Sequence, residues 1–483
     1  MKRGAAVAIL LVLVLAVLAA CAQPTPQVIK ETVVVTKEVE KVVKETVVVT
    51  KEVEKVVTKE VEKVVTKEVV ATPTPAGRCA PTDPNEVDEI RIGATGPLSA
   101  PGSVVGGVVM QWALNIAVKH INDAGGVLGK PVNLVFYDTE GLPERGTAVA
   151  ERLITQDCVV GIVGEYHSAV GLAMMEVAHK YHTPVVFAET WNDKITGSQY
   201  PEIFRIAPAS SMVAEADAKY LADVGAEFVV IVAENTDYGV PASEATKERL
   251  AKYGIDSEIF LAEIGTQDFT PLITRIQALD RTPDAVLTLV TGEASYNFEQ
   301  QAAEAGLMPN EDTICIANQV AINSDEFWRN VPDGNYCLFR RVGLVPALAN
   351  EVTKKFEADY RRQFDRFPES YALEAYDSLL IMADAINRAG TLDPDAIIAA
   401  LEDTDLVGAQ GRYYFPYGLK NPVPPDQPEW MWHQWPDPAI LFLQYWEKGQ
   451  SWEEACVVWP EKYQTCGTFL VPYGEKPPKM PGQ

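Results

Sequence analysis

Two successive series of strand and helix patterns constrain the fold of this chain more than any other feature. Short apolar runs, the pattern of strands buried on both faces, alternate with segments of helical periodicity. The first series predicts strands at 89–95, 132–138, 159–163 and 184–188. The second predicts strands at 228–233, 258–262, 285–290 and 313–317. We therefore predict an α/β fold with two doubly wound lobes, which bind ligands at the carboxyl ends of their strands.

Helical periodicity fills the intervals between these strands. Six helices are predicted at 110–122, 144–156, 211–224, 243–253, 269–279 and 295–305, and a seventh begins near Ala169. Residues 408–483 follow neither pattern and are rich in Pro, Trp and Tyr. Their crowded segment 430–435, WMWHQW, either lines a site or, as is commoner for such clusters, packs an irregular tail onto a domain.

The stretch 159–172, VVGIVGEYHSAVGL, carries the clearest sign of a binding place. An apolar strand ends at Gly164, a polar bend follows, and a helix begins near Ala169 with Ser168 in the N-cap position. A hydroxyl and free backbone N–H groups at such a turn can bind an anion such as a carboxylate. The alternative is that Ser168 only caps its helix, and this stretch alone does not separate the two interpretations.

The first 20 residues have the features of a targeting signal. Lys2 and Arg3 precede an apolar run at 5–18, which ends in the tetrapeptide Leu-Ala-Ala-Cys. That tetrapeptide resembles a bacterial lipobox, in which the cysteine, here Cys21, is lipidated and becomes the new N-terminus. A transmembrane anchor is disfavoured, because about 14 apolar residues cannot span ~30 Å of hydrocarbon. We expect an exported protein, anchored by its lipid to the outer face of the cytoplasmic membrane.

A charged repeat follows the signal. The sequence KETVVVTKEVEKVV at 30–43 recurs unchanged at 44–57. Its valines fall partly on a coiled-coil seam, but valine is a poor helix former and the register slips after Val57. We interpret residues 21–80 as a solvated stalk, with a coiled coil as the alternative.

Seven cysteines fit an exported chain. One takes the lipid, which leaves an even number. Cys456 and Cys466 lie close together in a loop-rich tail and are the favoured pair. Cys79 lies ahead of the first predicted strand and Cys158 at the start of the third, and the two thiols can meet if those strands are parallel neighbours. The two that remain, either bridged to each other or separately buried, are Cys315 and Cys337.

The sequence contains no motif that predicts catalysis, metal binding or nucleic-acid binding. The motifs GxxxxGK[ST], GxSxG and HExxH do not occur, and no catalytic constellation is recognisable, so an exported hydrolase is disfavoured. His179 and His182 share a helical face, but we interpret them as surface residues rather than metal ligands. The net charge of −26 disfavours nucleic acid as a partner. We expect no cofactor and no metal.

Two motifs carry a family resemblance. The segments 92–99, IGATGPLS, and 121–131, INDAGGVLGKP, resemble the opening of the Leu/Ile/Val-binding protein family. Tyr238-Gly239, and Tyr371 with the later Ala375-Tyr376-Asp377, also match it. Members of this family are substrate-binding lipoproteins of ABC importers with the type I periplasmic-binding fold. The resemblance covers residues 87 to about 420 and is specific to the family, but not to a ligand.

The resemblance implies a hinged clamp. Two Rossmann-like lobes, joined by a hinge of three crossovers, close on a small ligand between them. Lobe 1 would comprise 87–206 and 341–407. Lobe 2 would comprise 207–340 and 408–483, which includes the Trp/Pro-rich extension.

The resemblance also implies a binding site. Ser168 falls where the family's serine binds the ligand carboxylate. Two departures put an ordinary branched-chain ligand in doubt, because Gln319 stands where the family has an acidic residue, and Glu189 where it has a small neutral one. We expect Glu189 to pair with a cationic group on the ligand, the alternatives being a neutral amide ligand or a glutamate that only points to solvent. The predicted ligand-binding residues are Tyr166, Ser168, Glu189, Thr190, Trp191, Tyr238, Gln319 and Tyr371.

These features imply a binding protein and not an enzyme. We expect it to capture an amino acid or a related polar solute and to deliver it to an ABC permease. The rival interpretations are a sensory receptor subunit with the same fold and a protein for neutral solutes of the amide or urea type.

Overall fold

The computed structural model describes residues 77–466. The predicted signal peptide, Cys21 and the repeats of the stalk lie outside the described residues.

The first five strands form one parallel sheet, and its order is β2-β1-β3-β4-β5. Consecutive strands in this order lie side by side, and the reversal at β1 gives the doubly wound topology that the alternation predicts. The strands are β1 (Ile90–Gly96), β2 (Val132–Asp138), β3 (Gly161–Gly164), β4 (Val185–Phe187) and β5 (Ile203–Arg205). This sheet is the centre of the first lobe.

A seven-stranded sheet forms the second lobe, with the order β14-β13-β10-β9-β8-β6-β7. Five of its strands are parallel, and β13 and β14 add an antiparallel edge. A separate hairpin joins β11 to β12. The strands are β6 (Phe228–Glu234), β7 (Asp256–Ala262), β8 (Ala285–Leu289), β9 (Ile314–Ala317), β10 (Leu338–Val342), β11 (Leu406–Gly408), β12 (Gly411–Tyr413), β13 (Ile440–Gln444) and β14 (Cys456–Trp459).

Helices connect and cover the two sheets. Those before β10 are α1 (Val104–Asp123), α2 (Pro143–Thr155), α3 (Ser168–Lys180), α4 (Lys194–Gly197), α5 (Ser210–Asp223), α6 (Gly239–Lys252), α7 (Thr270–Gln277), α8 (Glu293–Glu304) and α9 (Ser324–Asn330). Those after it are α10 (Glu351–Phe364), α11 (Ser370–Ala389) and α12 (Pro394–Glu402). The predicted α/β class with two lobes is confirmed, and each predicted strand is present with its ends within two residues of the prediction.

Helix α1 begins six residues before the predicted start, because two glycines in its first turns are packing residues and not helix breakers. A Cβ on Gly107 would lie 1.7 Å from the carbonyl oxygen of Pro97, and one on Gly106 would meet the ring of Tyr166. The helix has the length and apolarity of a membrane span, but half of it is buried in the lobe, where it packs on α11. It is therefore a core helix.

The chain crosses between the lobes at 206–209, 343–350 and 436–439. The third crossover corrects the predicted boundary, which assigned all of 408–483 to lobe 2. Residues 408–435 contact the first lobe instead, since β12 pairs with β11 and the following segment packs on β5. Of the residues after 408, only those from β13 onward belong to the second sheet.

The aromatic segment 430–435 holds this extension on the first lobe. The imidazole of His433 stacks on Phe204 with ring centroids 3.9 Å apart, and its Nε2 contacts Glu402 Oε1 at 2.8 Å. Gln434 accepts a hydrogen bond from the Arg205 Nε, and its amide donates to the Ala207 carbonyl at 2.8 Å. The segment therefore packs a tail onto a domain, the commoner of the two interpretations of the sequence.

The described part of the chain contains three disulfides. Cys79–Cys158 joins the segment ahead of β1 to the residues just before the neighbouring strand β3, and Cys456–Cys466 links the first residue of β14 to the loop that follows this strand. These are the two pairings that the sequence favours. The third, Cys315–Cys337, links β9 to the residue before β10 and answers the question that the sequence left open.

We expect these bonds to differ in their effect on stability. The stabilisation by a disulfide increases with the loop that it closes, and the loops span 79 residues for Cys79–Cys158 and 10 for Cys456–Cys466. Replacing the first pair by serine should lower the free energy of unfolding by about 2 kcal/mol more than replacing the second pair. Urea denaturation of both double variants measures this difference, and equal losses would contradict it.

Candidate ligand-binding site

A cleft lies where the carboxyl ends of the two parallel sheets face each other. Lobe 1 contributes the turns after β3 and β4, and lobe 2 contributes the ends of β6, β8 and β9. The residues that line it are Tyr166, His167, Ser168, Glu189, Trp191, Tyr238, Thr291, Asn318 and Gln319. The position is the one that the strand and helix alternation predicts.

Most of the predicted site residues meet in this cleft. Six of the eight line it: Tyr166, Ser168, Glu189, Trp191, Tyr238 and Gln319. Two lie behind the wall. Thr190 turns its carbonyl toward Arg205, and Tyr371 packs edge-on against Tyr166 with ring centroids 5.9 Å apart.

Three lining residues were missed by the sequence interpretation. His167 belongs to the polar bend that was singled out, while Thr291 and Asn318 directly follow apolar runs of the second series. The signal that could have found them is the position after a buried parallel strand, because that position opens on the ligand edge of the sheet.

Ser168 does not cap its helix, which corrects the predicted N-cap. Helix α3 begins at Ser168 itself, and His167 occupies the N-cap position without a side-chain cap. The Ser168 Oγ accepts hydrogen bonds from the backbone N–H groups of Trp191 and Asn192, at 3.0 and 3.1 Å. Since both lone pairs are then used, the hydroxyl proton is left to be donated.

The turn after β4 is fixed from behind by Arg205. This buried guanidinium donates to the carbonyls of Thr190, at 3.2 Å, and of Asn192, at 2.6 Å. With Ser168 holding the N–H groups and Arg205 the carbonyls, both polar sides of the turn are satisfied. The turn therefore presents Glu189 and Trp191 to the cleft in one arrangement.

Glu189 faces the second lobe. Its Oε1 accepts a hydrogen bond from Gln319 Nε2 at 2.5 Å, so the glutamate and the glutamine join the lobes directly. The other oxygen, Oε2, is buried and receives no hydrogen bond of good geometry from the described residues. Glu189 is thus a buried member of the cleft, which excludes the interpretation that it points to solvent.

Aromatic rings form the remaining walls. Trp191 and Tyr238 meet edge to face with centroids 6.2 Å apart. The space between the walls is small, with a volume of about 20 Å³. A second cavity of about 220 Å³ adjoins it and shares His167, Ser168 and Tyr238. A solute of amino-acid size therefore requires the lobes or these side chains to separate.

The electrostatics of the cleft centre on Glu189. Burial raises the pKa of its carboxyl. Burial also lowers the pKa of His167 to about 4, and the His167 Nε2 accepts the backbone N–H of Ser103 at 3.0 Å, so the imidazole is neutral at pH 7. Among the nine described residues that line the cleft there is no lysine or arginine. The cleft can therefore balance a cation but offers no basic side chain to an anion.

The histidines singled out in the sequence lie away from the cleft. His179 and His182 both contact the buried carboxylate of Glu202, and His182 also contacts Asp395 at 2.7 Å. Within residues 77–466 no group of three or more His, Cys, Asp or Glu side chains is placed to hold a metal ion.

Comparison with known proteins identifies the fold. The family model of the periplasmic binding proteins matches residues 89–417. The Leu/Ile/Val-binding protein BraC3 of Rhizobium johnstonii is 28% identical over 327 residues, which cover 65% of this chain and 84% of that protein.

Two solved structures have the same architecture. The branched-chain amino acid substrate-binding protein LivJ of Streptococcus pneumoniae, in complex with isoleucine, matches with a TM-score of 0.64 at 22% identity, over 75% of this chain and 97% of that one. A solute-binding protein of an ABC transporter from R. palustris, in complex with benzoate, matches with a TM-score of 0.63 at 17% identity, over 74% of this chain and 94% of that one. The chain belongs to the family of type I periplasmic binding proteins.

Proposed function

We propose that the protein is the extracytoplasmic solute-binding lipoprotein of an ABC importer. It captures a small polar solute, an amino acid or a close relative, between its two lobes and delivers it unchanged to a membrane permease. The observation that carries this proposal is the meeting, in one interlobe cleft, of a hydroxyl free to donate and a buried carboxylate with no basic side chain among the described residues that line the cleft.

Ser168 supplies the contact for the solute's carboxylate. Both lone pairs of its hydroxyl accept hydrogen bonds from the turn after β4. The hydroxyl proton is therefore available to donate to a solute in the cleft. Ser168 also stands in the first turn of the 13-residue helix α3, where backbone N–H groups and the helix dipole favour an anion. This combination compensates for the lack of a basic side chain in the cleft.

Glu189 supplies the contact for the solute's ammonium group. Gln319, which stands where the family has an acidic residue, is neutral and donates its amide N–H to Glu189. Glu189 therefore takes over from lobe 1 the role that the family gives to an acid in lobe 2. A buried carboxylate needs such a partner, since an unpaired charge in a desolvated cleft is costly.

A neutral or purely anionic solute is the second candidate. The Gln319 amide favours it, because a neutral side chain at this position can bind an amide or urea group. The benzoate complex of the related R. palustris protein offers an example of a ligand without an ammonium group. A sensory subunit that reports its solute to a membrane receptor would use the same cleft. A thermal-shift screen of amino acids, amides, urea and carboxylic acids separates the ligand classes.

The first prediction concerns Ser168. Ser168→Ala should weaken binding of the best amino acid in that screen roughly ten- to a hundredfold, since a hydrogen bond to a charged group contributes about 1.5–3 kcal/mol. Calorimetry measures the affinity. Ser243→Ala, which removes an equally buried serine hydroxyl from α6, is the matched control and should bind normally. Unchanged affinity in a folded Ser168→Ala protein would leave the hydroxyl with a structural role only.

The second prediction concerns Glu189. Glu189→Gln should cost an amine-bearing ligand about 2–5 kcal/mol of binding free energy, because the ammonium is left buried without its counter-ion. The affinity for a carboxylic acid of the same skeleton without the amine should change much less. Glu176→Gln removes one negative charge from an exposed position of α3 and controls for net charge. Equal losses for both ligands would disprove the ion pair.

The third prediction concerns the anchor. The lipobox motif predicts that Cys21→Ser releases the protein from the membrane and leaves ligand affinity intact, because Cys21 is remote in sequence from every cleft residue. Fractionation after a salt wash, with the unmodified protein alongside, measures this. Retention of the variant in the membrane fraction would contradict the lipid anchor.

A further inference from the structure

A second buried carboxyl lies directly behind the cleft. Glu374 stands on α11, one turn after Tyr371, and its side chain is fully buried. It lies within hydrogen-bonding reach of Glu189. Neither of its oxygens accepts a hydrogen bond of good geometry from any donor in residues 77–466. A buried carboxylate without a donor would be severely unfavourable, so the protonated form is the one that this site accommodates.

The two carboxyls have unequal partners. Glu189 accepts from the Gln319 amide, whereas Glu374 has no donor. Two ionised carboxylates only repel each other, and a hydrogen bond between them requires one proton. That proton belongs on Glu374, which then donates to Glu189. Burial raises the pKa of both carboxyls, and the neighbouring Glu189 raises the pKa of Glu374 further.

The surroundings do not supply a counter-ion at contact distance. Arg341 attracts Glu374 from β10, but its Nε and Nη2 donate to the carbonyls of Leu344 and Pro368, and its guanidinium lies over the Trp452 ring. The charged and titratable groups that face the pair are Arg341, Asp377 and Tyr413 on the side of Glu374, and Tyr166 and Tyr238 on the side of Glu189, where the neutral Trp191 indole also lies. Arg341 is the only cation among them, and its remaining donor, Nη1, makes no hydrogen bond of good geometry with either carboxyl within the described residues.

We propose that Glu374 is a protonated positioning residue that donates a hydrogen bond to Glu189, so that Glu189 holds either one proton or one ligand ammonium group but not both. The inference rests on the proposed function. When an amine-bearing ligand enters a protein whose Glu189 is protonated, the O–H bond of Glu189 breaks, the proton passes to solvent, and the carboxylate pairs with the ammonium. A ligand that has a carboxylate but no ammonium has the opposite effect, because Glu189 must take up a proton to avoid an unpaired buried charge.

Proton exchange during binding tests this competition. The probes are L-leucine and 4-methylpentanoate, which has the same skeleton without the amine; if another standard amino acid binds more tightly, it and its own deaminated acid replace them. Calorimetry of the full chain in buffers of different ionisation enthalpy should show proton release with leucine near pH 6 and proton uptake with 4-methylpentanoate near pH 7. The leucine affinity should fall up to about tenfold per pH unit as the pH is lowered below the raised pKa of Glu189.

Variants of Glu374 test its part in the competition. Glu374→Met removes the donor and should weaken leucine binding roughly ten- to a hundredfold. The decrease in leucine affinity on acidification should also begin at a higher pH, because the Glu189 carboxylate is no longer stabilised by a hydrogen bond from Glu374. Glu374→Gln should recover most of that loss, because its amide N–H can donate to Glu189 as the protonated acid does.

The outcomes separate the two proposals. If amino acids bind without proton exchange and with a flat affinity between pH 5 and 7, the competition at Glu189 is disproved. If Glu374→Gln is as damaging as Glu374→Met, the donor role of Glu374 is disproved. In either case the binding function stands. Should the Met variant fail to fold, the opposite signs of proton exchange in the unmodified protein still decide. If no standard amino acid binds, the amino-acid ligand of the proposed function is ruled out in favour of the second ligand class, and this inference is overturned with it.

Discussion

The buried guanidinium of Arg205 is the interaction on which the arrangement of the cleft depends. Arg205 ends the edge strand β5, immediately before the chain crosses to the second lobe. Its donors bond the carbonyls of Thr190 and Asn192, the Thr196 hydroxyl and the Gln434 amide oxygen. Burial lowers its pKa to about 10, so it remains protonated at neutral pH. A buried cation is tolerated only when its donors are satisfied, so the turn, the strand and the extension hold one another in place.

Through this network the C-terminal extension supports the cleft, although no residue of the extension is among the described residues that line the cleft. Gln434 lies beyond residue 417, where the match to the family model ends. Through Arg205 it supports the turn that carries Glu189 and Trp191, and Ser168 supports the same turn from the cleft side. A turn bonded on both sides loses little conformational entropy when a solute binds, so more of the contact energy is available for affinity.

Buried carboxyls give this acidic protein a particular response to pH. Asp377 accepts from two backbone N–H groups and the Tyr413 hydroxyl, yet burial still raises its pKa to about 7. A carboxyl whose pKa is higher in the folded than in the unfolded state binds more protons when folded. Its contribution to stability is therefore largest in acid and decreases as the pH rises toward the folded pKa. Glu165, with a pKa raised by burial to about 7, acts in the same direction.

The sequence by itself determined the two lobes, the edge of each sheet that faces the cleft and most of the side chains that line it, because buried parallel strands impose an apolar pattern and their carboxyl ends share one edge. It could not determine the strands outside that pattern. Strand β10 contains Arg340 and Arg341, and β13 and β14 lie in a tail without periodicity. Nor could it show that Ser168 forms hydrogen bonds with the turn after β4, or that Glu374 lies behind Glu189. The hydrogen bond between Arg205 and Gln434, which are 229 residues apart, was equally beyond it. Only the tertiary structure decided these contacts, because each joins side chains that are distant in sequence, and local patterns carry no information about which buried polar group satisfies which.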